Sequence, residues 1–362
     1  MPNQPPFNAS SDLMVMLSRL LLTPGDAQTA FACRAMSRAD FDAFVALANT
    51  NHVIVRGVEI FRGIVLEAGD TTRAEWAETA LAAERARIAR AVDFLAEICS
   101  AFQADHLDVT VMKSLDHWPD LGSDLDLYSG ATPQAICAMM TRRFGAQIAT
   151  RSWGDRLACK WNFEIPGLPE PVEVHIGRLG QTGEQTLLAS RLPGRSRPVQ
   201  MNGHTFRVPS ASDRLMISTL QRMYRHFYFR LCDIVDSATL VTSGDLDFRE
   251  LRSAAQDAGI WEGVATYLMI VSDYVMQYRG TDLGLPQFVK DSARFGGELV
   301  YFARDFIRVP IMPQSAGLYR TQLTGLLRKR ELTSSARLGL LPWLATAAAV
   351  GHKLTGSDKG IW

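Results

Sequence analysis

The spacing of apolar residues changes twice along the chain, and this change most constrains its fold. From residue 11 to about 105 apolar residues recur every three or four positions, as in amphipathic helices. From about 106 to 210 the spacing is mostly two, which is typical of strands with one buried face. After residue 210 the helical spacing returns to the end of the chain. The pattern predicts an α+β fold with a small mixed β-sheet in residues 105–210, flanked by helical regions in 1–104 and 211–362.

Particular elements follow from local signals. Residues 71–104 predict one long helix with Thr71 or Thr72 as its cap, and residues 133–144 predict a helix capped by Thr132. Strands are expected at 107–112, 123–128, 157–165 and 172–176. Asn202-Gly203 between two short apolar runs predicts a β-hairpin.

Charge and cysteine content exclude several classes. Lysine plus arginine and aspartate plus glutamate both total 38, so net charge gives no signal for nucleic acid or for an anionic membrane. The five cysteines are scattered and lack zinc-binding spacing, which indicates reduced thiols. The opening Met-Pro-Asn-Gln-Pro-Pro does not resemble a signal peptide, so a cytoplasmic location is expected.

One apolar segment near the C-terminus has two interpretations. Residues 338–351 follow the basic run Arg328-Lys329-Arg330 and contain Pro342. The segment is too short to span a bilayer, which takes about 20 residues. A core helix is the favoured interpretation, and partner docking or membrane-surface contact through this basic and apolar segment is the alternative.

Two predicted strands each carry metal-ligand residue types on one face. In Leu125-Asp126-Leu127, preceded by Asp124, both carboxylates point one way and both leucines the other. Val172-Glu173-Val174-His175-Ile176 repeats this pattern with Glu173 and His175. Neighbouring carboxylates repel one another and favour a divalent cation, which indicates a metal-dependent site.

The residues before the aspartates carry a resemblance to a known family. Lys113-Ser114 ends a predicted strand, and nine residues separate Ser114 from Asp124. With Glu173 on a later strand, this layout resembles the polymerase-β-like nucleotidyltransferase superfamily, and specifically a little-characterised bacterial branch. Arg230-Leu231 and Asp236 look like later positions of that branch. Compared with that branch, Ser114 replaces glycine, Glu173 replaces aspartate, and a second glycine of the turn is absent.

The resemblance implies an Mg²⁺-dependent enzyme that moves NMP from an NTP to an unidentified acceptor. Asp124, Asp126 and Glu173 would be catalytic and would hold two Mg²⁺ ions roughly 3.5–4 Å apart. The positions implied for nucleotide binding are Lys113, Ser114, Gly122, Ser123 and His175, and His175 is either a partner that orients Glu173 or a general base. The acceptor is open: a small molecule, a peptide, a protein side chain or a tRNA end.

Other interpretations remain beside this one. A kinase-type phosphotransferase would use similar carboxylates and cations, and a non-catalytic nucleotide-binding module is the third possibility. A calcium loop is excluded because Tyr128 and Ser129 stand where that loop needs an oxygen ligand and a glycine. For Arg230, Asp233 and Asp236, a local ion pair on one helix is favoured over substrate contact. Residues 224–228 interleave basic and aromatic side chains, which is more often a core with a polar rim than a nucleic-acid surface. Arg151, Arg156 and Lys160 flank the strands and are candidates to reach phosphates.

Overall fold

The computed structural model describes residues 12–179 and 184–355, in which helices flank a small mixed sheet. The α+β prediction is confirmed, whereas the boundaries between the three regions stay predictions. The helices before the sheet are α1 (Asp12–Leu22), α2 (Ala27–Ala35), α3 (Arg38–Thr50), α4 (Ile54–Glu67) and α5 (Thr71–Ala104). Those within the strand region are α6 (Pro133–Phe144), α7 (Trp153–Leu157) and α8 (Glu184–Arg195). Those after it are α9 (Ala211–Thr219), α10 (Leu231–Thr242), α11 (Phe248–Asp257), α12 (Trp261–Arg279), α13 (Gln287–Lys290), α14 (Ala316–Arg328) and α15 (Leu332–Thr355).

The main sheet has five strands in the order β1-β2-β5-β4-β3. They are β1 (Thr110–Met112), β2 (Leu125–Ser129), β3 (Gln147–Ile148), β4 (Lys160–Glu164) and β5 (Val172–Ile176). Only β2 and β5 run parallel, and the other neighbouring pairs are antiparallel. The two strands with alternating patterns therefore lie side by side at the centre of the sheet.

Alternation separates the two faces of these strands. Leu125, Leu127, Val172 and Val174 have no exposed surface, so one face of each strand belongs to the core. The predicted strand over 172–176 is confirmed with the same bounds. The opposite face carries the polar side chains, and the site forms on it.

Two other strands are shorter than predicted because helix signals override them. The strand expected at 107–112 begins only at Thr110, since His106 adopts φ 58° and the Leu107 N–H binds the Phe102 carbonyl, which ends α5. The strand expected at 157–165 is β4 alone. Ser152 and Asp155 form a capping box that starts the short helix α7 just before it.

The cap and turn predictions have mixed outcomes. Helix α5 has the predicted bounds, but its cap is Asp70, whose carboxylate accepts the Arg73 N–H, rather than Thr71 or Thr72. Thr132 caps α6 as predicted. The hairpin is also confirmed: β6 (Arg197–Met201) and β7 (His204–Val208) pair across Asn202 and Gly203, both with positive φ.

The region after residue 210 is not helical throughout, contrary to prediction. A three-stranded sheet there has the order β8-β10-β9, from β8 (Tyr228–Phe229), β9 (Tyr301–Ala303) and β10 (Phe306–Arg308). These strands have only two or three residues, too few for alternation to be recognised. The irregular helical turns are 3₁₀ at Ser114–His117 and Gly297–Leu299, and π-helical at Leu220–His226 and Ile311–Ser315.

The last helix is not a core helix, so that interpretation of residues 338–351 is wrong. Leu338 is buried, but Leu340 is 50% exposed and Trp343 is 75% exposed. Partner docking through this segment stays a prediction. None of the helices in the described part of the chain combines the length and apolar character that a membrane crossing requires.

Candidate active site

Two of the predicted acidic residues, Asp126 and Glu173, meet on the polar face of the central strands, and Asp124 lies close enough for their charges to act on it. Asp126 on β2 and Glu173 on β5 are direct register partners, and Asp124 comes one residue before β2. His175 lies two residues after Glu173 on the same face, with its Nε2 3.5 Å from an Asp126 carboxylate oxygen. Ligand atoms of Asp126, Glu173 and His175 all lie within 4.8 Å of one another. This group has the donors and the spacing to hold a cation. His175 therefore contacts Asp126 rather than Glu173, the partner proposed from the sequence.

The turn after β1 positions the two aspartates. Lys113 adopts φ 53°, a left-handed conformation that turns the chain into the 3₁₀ helix Ser114–His117. The Ser114 hydroxyl donates to the Asp124 carbonyl at 3.2 Å and accepts the Asp126 N–H at 2.7 Å. Ser114 is thus tied to the backbone on both sides of Leu125, which fixes where the two carboxylates emerge.

Two lysines neutralise the carboxylates. The Lys113 Nζ lies 2.5 Å from Asp126, and the Lys160 Nζ lies 2.8 Å from Glu173 and 3.2 Å from Asp155. Lys160 comes from β4, whose Asn162 is the register partner of Glu173. Each acidic strand residue therefore has a cationic partner that could be exchanged for a metal ion.

The environment separates the protonation behaviour of the two aspartates. Burial, together with the charges of Glu173 and Asp126, raises the pKa of Asp124 to about 6. Burial also opposes ionisation of Asp126, but Lys113 and His175 outweigh it and hold the pKa of that carboxyl below its usual value. Burial lowers the pKa of His175, which keeps its imidazole neutral. Asp126 is consequently an anion at neutral pH, whereas Asp124 loses its proton at about pH 6, slightly below neutral.

The carboxylates open into a cavity of about 200 Å³ with many basic groups in its wall. Its lining comprises His52, Lys113, Ser114, His117, Gly122, Ser123, Asp124, Asp126, Lys160, Glu173, Gln221, Arg222, Arg225, His226, Tyr228 and Arg230. The buried Nε atoms of Arg225 and Arg230 have no hydrogen-bond partner among the described residues. A second hollow of about 430 Å³ adjoins it and shares His52, Gly122, Ser123 and Arg230. The arrangement suits a polyanion bound beside the carboxylates.

All predicted site residues except His175 line this cavity, and sequence reasoning missed much of the opposite wall. That wall comes from the π-helical turn Leu220–His226 and the residues after it. Its only sequence signal is the basic and aromatic run 224–228, interpreted above as a core with a polar rim. Arg225, His226 and Tyr228 are half-buried and line the cavity. Of the flanking basic residues, Lys160 reaches the cavity wall, and neither Arg151 nor Arg156 is part of its lining.

The predicted local ion pair of Arg230 with Asp233 or Asp236 is wrong. Asp233 instead pairs with the buried Arg222 at 2.7 Å. Asp236 pairs with Arg56 from α4 at 2.7 Å and with His117 at 2.5 Å. Both carboxylates form ion pairs with residues outside α10. The Arg230 side chain lines both hollows.

Comparison with known proteins adds little to this site. No family model matches the sequence, and no curated protein matches it. Among solved structures, the chain is similar to an antigenic nucleotidyltransferase-like protein from Paracoccidioides brasiliensis. The TM-score is 0.32 and the identity 13%, over 48% of this chain and 88% of that chain. A likeness this weak determines neither fold nor function here, so both rest on the residues described above.

Proposed function

We propose that this chain is an Mg²⁺-dependent nucleotidyltransferase that moves NMP from an NTP to an acceptor hydroxyl or phosphate. The observation that carries the proposal is the pairing of Asp126 with Glu173 across parallel strands, beside Asp124 and facing a basic cavity. Acidic ligands for cations and basic groups for phosphates are the two requirements of a metal–triphosphate complex. The site residues predicted from the sequence would provide the acidic ligands, and the cavity wall after residue 220 adds to the basic groups.

The reaction assigns a role to each group. The acceptor oxygen forms a bond to the α-phosphorus as the bond from that phosphorus to the α–β bridging oxygen breaks. Pyrophosphate leaves with the electron pair of the broken bond, and the proton of an acceptor hydroxyl passes to solvent. Two Mg²⁺ ions, when bound, would stabilise the charge on the attacking and leaving oxygens. Asp124 and Asp126 would hold both ions, and Glu173 would be a further ligand of the ion that activates the acceptor. The His175 Nε2 lies 3.5 Å from Asp126, and a hydrogen bond between them would orient that carboxylate.

The basic groups bind and orient the triphosphate. Lys113 and Lys160 pair with the carboxylates and would turn to the phosphates once cations take their places. Arg225 and Arg230 add guanidinium groups whose buried Nε atoms still lack partners. Ser114, Gly122 and Ser123 line the same cavity, and their contact with nucleotide stays a prediction.

The proposal is tested by finding which labelled phosphate of the NTP is transferred to the acceptor. The full-length chain is incubated with Mg²⁺, each NTP, and small-molecule, protein and tRNA fractions as acceptors, using α-labelled and γ-labelled NTP in parallel. Transfer of the α-label with release of pyrophosphate is the expected result. Transfer of the γ-label would instead identify a phosphotransferase. Mg²⁺-dependent NTP binding without transfer of either label would indicate a non-catalytic nucleotide-binding module.

The Mg²⁺ affinity should rise with pH up to about 6 and level off above it. Asp124, with its pKa of about 6, holds a proton below that pH which the cation must displace. The expected slope is about tenfold per pH unit. Calorimetric titration on both sides of pH 6 measures this, with Asp124→Asn as the variant that should lose most of the slope. An unchanged slope in Asp124→Asn would assign the proton to another group.

Stability of the metal-free chain should have the opposite pH dependence. The folded pKa of Asp124 lies above its ordinary value of 3.8, so the folded state binds more protons between about 4 and about 6. The contribution of this group to the free energy of unfolding therefore falls as pH rises through that window. Denaturant titrations of the wild type and Asp124→Asn should diverge there, with the variant less dependent on pH.

Lys113→Ala should weaken NTP binding more than it slows transfer. A phosphate contact formed equally in the ground state and the transition state affects KM rather than kcat. The loss of one charge-assisted hydrogen bond, about 1.5–3 kcal/mol, corresponds to a rise in KM of at least tenfold. Lys290→Ala, at an exposed lysine paired with Asp282, is the control. A normal KM with a reduced kcat would contradict this role.

A further inference from the structure

A second group of metal-ligand side chains has different members from the carboxylate group, and two of them line the same cavity. His52, His117 and Cys232 each offer a ligand atom within 4.8 Å of the other two. The His117 Nε2 is 3.8 Å from the Cys232 Sγ, and the two imidazole ring centres are 5.7 Å apart. No local spacing in the sequence connects these residues, which is why composition gave no zinc signal.

Each member of the group belongs to a different part of the fold. His52 follows α3, His117 ends the 3₁₀ turn after β1, and Cys232 lies in the first turn of α10. The three residues therefore come from the N-terminal helices, the strand region and the C-terminal helices. A ligand shared by them would connect all three at one side of the cavity.

Backbone hydrogen bonds hold His52 beside Cys232. The Asn51 side chain accepts the Leu231 N–H at 3.0 Å, and the Asn51 carbonyl accepts the Cys232 N–H at 3.2 Å. His52 itself adopts φ 52°, a left-handed conformation that non-glycine residues adopt rarely and mostly where the surroundings enforce it. The His52 Nδ1 is buried and has no hydrogen-bond partner in the described part of the chain. Burying an imidazole nitrogen without a partner has a cost that a ligand would remove.

The orientation of His117 is fixed by a carboxylate. Its Nδ1 lies 2.5 Å from Asp236, which is held in turn by Arg56 at 2.7 Å. Arg56 also binds Asp120, whose carboxylate accepts the Val55 N–H at the start of α4. With Nδ1 engaged, the Nε2 is the nitrogen that faces Cys232. Histidine ligands of zinc commonly have this arrangement, with the second ring nitrogen on a carboxylate.

We propose that His52, His117 and Cys232 form a zinc site that joins the three parts of the chain at the wall of the active-site cavity. Thiolate and imidazole donors select zinc over Mg²⁺, which prefers oxygen ligands. Zn–N and Zn–S bonds of about 2.0–2.3 Å in a tetrahedron are compatible with the 3.8 Å N–S separation. Only three described side chains converge there, so water or a substrate oxygen would complete the coordination.

The charges around the group are consistent with an exchange of protons for metal. Burial, with Arg230 and His117, lowers the pKa of His52 to about 2, so its ring is a neutral ligand. Burial opposes charge on His117, but Cys232 and Asp236 outweigh it and raise its pKa. Burial also raises the pKa of the Cys232 thiol, so zinc must displace protons from both residues.

Cobalt titration of the full-length chain tests the site. Co²⁺ should bind one equivalent with a thiolate-to-cobalt charge-transfer band, and Zn²⁺ should displace it. Cys232→Ser should lose the band, and His52→Ala should bind cobalt at least about tenfold more weakly. Absence of the band in the wild type, or its persistence in Cys232→Ser, overturns the proposal.

Two matched variants separate this site from other thiols and from the carboxylates. Cys159→Ser removes a half-buried thiol outside the group and should keep the band. Glu173→Gln removes a proposed Mg²⁺ ligand and should also keep it, which makes the result independent of the proposed function. Loss of the band in either variant while circular dichroism stays native would place the metal elsewhere. The wild-type titration decides the question even where Cys232→Ser does not fold.

Discussion

Asp126→Asn should abolish nucleotidyl transfer and leave the fold intact. Asp126 sits at the centre of the carboxylate group, opposite Glu173 and within 3.5 Å of His175. An amide removes the charge that would hold both cations, and metal stabilisation of the transition state amounts to several kcal/mol. The expected loss is therefore about 10³-fold or more in kcat. Transfer of α-label measures the rate, and calorimetry measures the Mg²⁺ affinity.

An exposed carboxylate provides the control for this substitution. Asp93, whose side chain is 60% exposed, pairs with His204 and is not among the residues that line the cavity, so Asp93→Asn should leave transfer unchanged. A thermal unfolding curve for each variant establishes that the fold survives. Substantial transfer by folded Asp126→Asn would remove the two-metal mechanism.

Leu127→Ala is the complementary change and should destabilise the fold. The side chain is fully buried on the opposite face of the same strand. Truncating such a leucine costs about 2–5 kcal/mol in the free energy of unfolding. At temperatures where the variant remains folded, transfer should persist because Leu127 faces away from the carboxylates. Denaturant titration gives the stability, and Leu340→Ala, at a half-exposed leucine on α15, should change it by no more than about 0.5 kcal/mol.

The two substitutions together test which face of β2 belongs to the core and which carries the site. Loss of activity from Leu127→Ala with native stability, and unfolding from Asp126→Asn, would mean that the alternation is inverted. That outcome would reject both the strand assignment and the metal site.

The acidic half of the site was predictable because its information is local. A strand alternates with a period of two, so Asp124, Asp126, Glu173 and His175 can be assigned to one face from adjacent letters. The neighbouring positions of β2 and β5 followed from the family resemblance. The helices were predictable for the same reason, since their periodicity and caps lie within a few residues.

The part of the basic wall after residue 220 could not be predicted because its position depends on tertiary packing. Arg225 reaches the cavity only because a π-helical turn ends at Phe227, whose φ is 55°. His52 and Cys232 are adjacent only because Asn51 binds the start of α10. The three-stranded sheet was missed because strands of two or three residues have no measurable period.

The lysine pairs have a consequence for how ligands enter the site. Under the proposed function, Mg²⁺ binding without nucleotide would have to separate Lys113 from Asp126 and Lys160 from Glu173, and it would leave Lys113 without a counter-ion and Lys160 with Asp155 alone. An NTP arriving alone must bind beside uncovered carboxylates. If metal and nucleotide bind together, each supplies the charge that the other displaces. The phosphates would pair with the lysines, and the cations would pair with the carboxylates. Metal and nucleotide should therefore be positively cooperative, and because linkage is reciprocal, the factor by which Mg²⁺ tightens NTP binding must equal the factor by which NTP tightens Mg²⁺ binding.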